Sequence, residues 1–170
     1  MQAGQWVFGI EGDFNYLKGN RQDTFRSLRD GEDVVGRQET KLRWLSTVRG
    51  RFGYVWANTA FYATGGLAIG DVKSDASATR SDGGVVEATF AGAYSSTRTG
   101  WTAGAGIEHF LSNRVSFKVE YLHFDLGDFN YNVSLATGLV SPDVPSQWQA
   151  NGKVTGDIVR FGVNYRFAPP

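Results

Sequence analysis

Cysteine is absent from the 170 residues, so disulfides contribute nothing, and a small domain exported to an oxidising space must be held together by other means. Closed hydrogen bonding around a barrel would do. No apolar run reaches the roughly 18 residues that a spanning helix requires. A surplus of one charge is also missing: 17 basic residues stand against 17 acidic ones, no run is strongly basic, and nucleic-acid binding drops out on that ground. Met1 is followed by Gln2, Ala3, Gly4 and Gln5, not by a basic and then greasy segment, so any signal peptide has been removed or was never included. Histidine is limited to His109 and His123. There is no nucleophile elbow, no phosphate loop and no zinc-binding spacing.

What is present is alternation. Six segments repeat with the period of two that marks a strand with one apolar face, each longer than the usual soluble strand. The first, about 5 to 16, sets Trp6, Phe8, Ile10, Phe14 and Tyr16 against Val7, Gly9, Glu11, Asp13 and Asn15. The second, about 40 to 56, sets Leu42, Trp44, Val48, Phe52, Tyr54 and Trp56 against Lys41, Arg43, Thr47, Arg49 and Arg51. In the third, about 59 to 71, Phe61, Ala63, Leu67 and Ile69 oppose Tyr62, Thr64, Gly66, Ala68 and Gly70. The fourth, about 95 to 110, opposes Trp101, Ala103, Ala105 and Ile107 to Thr102, Gly104, Gly106 and Glu108. The fifth, about 114 to 125, opposes Val115, Phe117, Val119 and Tyr121 to Ser116, Lys118 and Glu120. The sixth, 159 to 167, opposes Val159, Phe161, Val163, Tyr165 and Phe167 to Arg160, Asn164 and Arg166.

Short and long connections alternate: Ala57 with Asn58, and Leu111 to Asn113, make tight turns, while Leu17 to Glu39, Val72 to Tyr94 and Leu126 to Lys153 read as long loops. An all-β, antiparallel up-and-down transmembrane barrel has this arrangement, with its turns in the periplasm and its long loops outside. Sidedness follows from solvation. A bare Arg or Lys at the membrane midplane costs about 2–4 kcal/mol, and the apolar stripes carry no charge through their middles. Trp6, Tyr16, Trp44, Tyr54, Trp56, Trp101, Tyr121 and Tyr165 stand where interfacial aromatic girdles place Trp and Tyr. A soluble lipocalin-like barrel would turn its charges outward, but glycines such as Gly9, Gly66, Gly104, Gly106 and Gly162 among those charges suit a crowded lumen better than a wet surface. Their segments open no helix, which argues against a nucleotide cradle. Glu11, Asp13, Arg43, Arg49, Arg51, Glu108, Lys118, Glu120 and Arg160 are then expected to pair inside, since unpaired ions there cost several kcal/mol each. An eight-stranded interior is just wide enough for side chains, which favours a plug over a conducting pore.

Several stretches together carry a family resemblance: Trp6 to Phe14, Thr47 to Tyr54, Tyr62 to Ala68, Lys118 to Leu122, and the ending Val163 to Phe167. The chain resembles the small opacity-type, outer-membrane-protein-A-like, porin-like surface barrels of Gram-negative bacteria over nearly everything outside the long loops. The resemblance implies an eight-stranded barrel in the cell outer membrane, a role in envelope integrity, and in some members adhesion or haem binding through the loops. It implies lipid and lipopolysaccharide as surroundings, the barrel-insertion machinery as a partner that reads Tyr165 and Phe167, and host surface molecules as loop partners. No required cofactor and no catalysis are expected.

Two departures from the pattern stand out. Family members usually have two more strands ahead of Gln5, so residues 1–170 are expected to be a single barrel domain shortened at its N-terminus, begun from a misplaced start, or completed by strands of another copy. The ending Ala168, Pro169 and Pro170 follows the terminal aromatic. Small barrels that modify lipids use His and Ser at the outer rim, and His123 beside Phe124 and Asp125 is the one histidine at that end; a girdle residue is the simpler reading of it. A narrow diffusion channel and a lipid-modifying enzyme remain the alternatives to a structural surface barrel.

Overall fold

The computed structural model describes residues 2–29, 32–138, 146–165 and 167, and among them there is no helix. A two-residue strand β1 (Gln2–Ala3) precedes six long ones: β2 (Trp6–Arg29), β3 (Glu32–Trp56), β4 (Thr59–Asp82), β5 (Val85–Phe110), β6 (Val115–Gly138) and β7 (Gln147–Tyr165). Each pairs antiparallel with the next, in the order of the sequence. Among the described residues no ladder joins β2 to β7, so the sheet is curled without being closed. Its two ends nevertheless approach, with Phe25 of β2 meeting Trp148 of β7 edge to face at 6.3 Å, and the Gln38 amide, one strand further in on β3, donating to the Asn151 carbonyl of β7 at 3.4 Å.

The alternating segments are strands as expected, but the long connections are not loops. Residues 17–29 and 32–39 are the far halves of β2 and β3, 72–82 and 85–94 those of β4 and β5, and 126–138 and 147–153 extend β6 and β7. The β4–β5 hairpin closes on two residues, Gly83 and Gly84, with φ of 54° and 86°, left-handed values that a tight hairpin demands and glycine adopts freely. The described hairpin ends therefore include a turn where a loop was expected. The Ala168–Pro170 ending and Arg166 lie outside the described residues.

These extensions kept their period of two but inverted its meaning. On β4 the outward residues run Phe61, Ala63, Leu67, Ile69 and then Asp71, Lys73, Asp75, Ser77 and Thr79, while the inward row runs Tyr62, Thr64, Ala68 and then Val72, Ser74, Ala76 and Ala78. Polar residues that a loop would carry thus face water from a strand, with small apolar residues beneath them. Leu45, Ala68, Val72, Phe90, Phe124, Leu126, Phe129 and Val133 belong to one apolar interior cluster, and Tyr94 stacks on Phe129 at 4.8 Å within it. Bulges between Tyr16 and Gly19, Leu42 and Trp44, and Asp125 and Asp128 mark the level of the change. An extra residue swaps the faces of the strand beyond it, which is how Leu42, on the Trp44 stripe by simple counting, comes to pack against the interior.

Candidate functional site

Below the bulges the inward faces of β2, β3, β5, β6 and β7 deliver their ionic side chains to one place. Arg49, 2 % exposed, donates to Glu120 at 3.0 Å, Asp13 at 2.8 Å and Thr64 at 3.3 Å, and its Nη2 lies 3.4 Å from Glu11. Arg51 bridges Glu11 at 2.9 Å and Glu108 at 2.8 Å. Arg160 crosses from β7 to hold both oxygens of Asp13, at 2.9 and 3.2 Å. Lys118 stands 3.7 Å from Glu11 and 3.8 Å from Glu120. Four cations and four carboxylates therefore share the cluster, which balances charge where a lone ion would be strongly disfavoured.

Arg43 is not part of it. The bulge between Leu42 and Trp44 breaks the alternation that placed Arg43 with Arg49 and Arg51, and its half-exposed guanidinium pairs instead with Asp71 at 3.3 Å. Neutral residues complete the cluster from the same inward rows. Thr47 donates to Asp13 at 2.8 Å, Ser116 to Glu108 at 2.6 Å and Asn164 to Glu108 at 2.9 Å. The Tyr62 ring lies under the Arg51 guanidinium at 3.6 Å, a cation–π contact that carbon and charge alone made invisible in the strand pattern. Gly106 leaves the space for that ring, because a Cβ there would collide with it. The shared inward parity of these residues was the available signal.

The outer surface below the bulges is apolar. Ile10 is 85 % and Phe161 79 % exposed, values that make sense only against hydrocarbon. From Phe61 to Ile69 the strand climbs about 27 Å at roughly 3.4 Å per residue, which a tilt of about 40° reduces to about 21 Å, most of the apolar band of about 25 Å on outer-membrane barrels. Trp6 pairs with Tyr54 and Tyr16 with Trp44 across β2 and β3, one pair at each edge of the band; Trp56 and Tyr165 stand at the short-turn edge, Trp101 and Tyr121 toward the other. Phe167, 91 % exposed, sets its ring edge to face with Tyr165 at 5.0 Å. His109 bonds Thr59 at 3.0 Å beside a short turn, and His123 bonds Asp157 at 2.9 Å with its ring 5.4 Å from Trp101.

Comparison with known proteins agrees with this geometry. The family model described as outer membrane protein beta-barrel domain matches residues 1–167. The 31 kDa outer-membrane immunogenic protein of Brucella melitensis is 40% identical over 97% of this chain and 68% of its own length. A 22 kDa outer membrane protein of Rhizobium leguminosarum is 36% identical over 78% of this chain and 51% of its length. The 25 kDa outer-membrane immunogenic protein of Brucella abortus is 28% identical over 98% of this chain and 61% of its length. The chain thus spans about half to two-thirds of these relatives. No solved structure matches it. With an antiparallel sheet, a hydrocarbon-facing band and a family match along nearly its whole length, this chain belongs to the outer membrane protein β-barrel family of Gram-negative bacteria.

Proposed function

We propose that the protein is a structural surface component of the outer membrane, without catalysis, whose lumen is plugged by the ion cluster and whose long hairpins form the outward interaction surface. The observation that carries this reading is the mutual pairing of Arg49 with Glu120 and Asp13 at 2 % exposure of the arginine: matched ions in direct contact leave little room for a hydrated path. Planar-bilayer recording on the purified protein tests it. A flat baseline is expected, and unitary conductance steps would overturn the plug.

A narrow channel is the second reading, and a cleft of about 500 Å³ at the short-turn end, lined in part by Glu11, Arg51 and Glu108, is the observation in its favour. The exposed Tyr165 and Phe167 rings support recognition by the insertion machinery. Haem or host molecules as hairpin ligands rest on family resemblance.

A further inference from the structure

At the outer edge of the apolar band, the bulges in β2 and β3 open a surface pocket of about 290 Å³. Tyr16, Gly19, Asn20, Lys41, Leu42 and Arg43 line it. Both cations are about half exposed and keep donors free toward solvent: Lys41 is held on one side by Glu39 at 3.1 Å and Arg43 by Asp71 at 3.3 Å, and neither carboxylate lines the pocket.

The register adds a third cation at this height: Lys41 of β3 sits directly opposite Lys73 of β4, a like-charge relation that disfavours the sheet and that Glu39, beside Lys41, offsets on one side only. Immediately below, Phe14 stacks on Trp44 at 5.7 Å and Val48 is exposed, an apolar surface continuous with the pocket floor. Cationic above and greasy below, at the level where hydrocarbon gives way to headgroups, the site has the polarity of a phosphorylated lipid.

We propose that this pocket seats a phosphate of an outer-leaflet glycolipid, with Lys41 and Arg43 as its ligands, Asn20 and Tyr16 as neutral donors, and the acyl chains lying against Phe14, Trp44 and Val48. The inference rests on the hairpins pointing outward. A guanidinium suits the role because its planar fork holds a phosphate by two oxygens while Asp71 occupies another edge. The chemistry alone would also accept free phosphate, and the experiment separates the two.

Protein extracted from outer membranes in mild detergent is offered hexa-acyl lipid A, with and without its phosphates, and bound lipid is counted by native mass spectrometry. Removing a surface cation weakens anionic-lipid binding about fivefold, so Lys41→Gln loses about fivefold and Lys41→Gln/Arg43→Gln about twenty-five-fold for the phosphorylated lipid. Dephosphorylated lipid binds all forms alike, and Arg114→Gln, exposed at the opposite, short-turn end, changes nothing. Equal retention by wild type and double variant, or equal binding of dephosphorylated lipid, would sink the proposal, and displacement by millimolar inorganic phosphate would assign the site to free anion instead. Heat-modifiable gel migration reports barrel folding separately: its absence in wild type would undo the membrane reading, whereas its presence with unchanged lipid binding would undo only the pocket.

Discussion

Replacing Arg49 by methionine is the sharpest probe of the interior. The side chain leaves three carboxylates and a hydroxyl without their shared donor, and the damage falls unevenly. Asp13 keeps both bonds from Arg160, at 2.9 and 3.2 Å. Glu120 keeps only Lys118 at 3.8 Å and Arg160 at 3.9 Å, both too long for hydrogen bonds, with its side chain 0% exposed. Removing one partner of a buried pair costs about 3–5 kcal/mol, most of it from the ion left behind. Arg49→Met is therefore expected to lose about 3–4 kcal/mol, and adding Glu120→Gln, which removes the stranded charge, to recover about half of that. Urea unfolding of protein inserted in phospholipid vesicles, followed by tryptophan emission, measures both. A loss below about 1 kcal/mol, the scale of exposed ion pairs, would mean that water reaches these groups, and the plug would fail with it.

Three further outcomes are expected. Gly66→Val, whose Cβ would run into the Val48 carbonyl, destabilises the folded barrel by about 1–3 kcal/mol through overpacking, measured by the same unfolding. Leu67→Arg costs about 2–4 kcal/mol on the hydrocarbon face, while Ser77→Arg, outward on the same strand, stays within about 0.5 kcal/mol; equal costs would contradict the change of solvent between them. At the β2–β3 tip, hydrogen bonds from Arg26 at 2.9 and 2.7 Å lower the Asp33 carboxyl below its ordinary value. That contribution is present above about pH 4, the unfolded-state range of Asp, and is lost as pH falls through the lower folded value. Protection of the amides in this hairpin, taken relative to the intrinsic exchange rate at each pH, should fall on acidification below that point, and that fall should disappear in Asp33→Asn.

The membrane half was legible because its two faces meet two different demands. Phe61, Ala63, Leu67 and Ile69 could only be outward once Tyr62, Thr64 and Gly66 were inward, and the inward ions of β2, β3, β5, β6 and β7 followed by parity. The outer halves misled because Ser, Thr, Asp and Asn residues between small apolar ones look like loop, yet Ala76, Ala78 and Val133 repeat at the strand period. Arg43 was misplaced for a different reason. Nothing in the residues from Leu42 to Trp44 announces a bulge, and one extra residue reverses every face assigned beyond it. The Tyr62–Arg51 contact joins diagonal neighbours of the β3–β4 hairpin, where Arg51 faces Thr64 and Gly53 faces Tyr62; apolar and charged parity within one strand carries no such register.

The same strands thus meet hydrocarbon below and water above, and the switch dictates what fills the interior at each level. Where the exterior is lipid, apolar side chains are satisfied outside and the inward row is free to carry ions, which then must pair. Where the exterior is water, the hydrophobic effect sends Val72, Phe90, Phe129 and Val133 inward instead. The switch is recorded separately on each strand, at Ile69 to Asp71 on β4, Tyr121 to Asp125 on β6 and Val159 to Asp157 on β7. Each of these records is set against the same interface. A downward slide of one outward residue, about 5 Å along the membrane normal at a tilt of about 40°, would push Asp71, Asp125 and Asp157 toward hydrocarbon together. The vertical position of the barrel is accordingly fixed by distributed desolvation cost, and no single anchoring residue is needed to hold it.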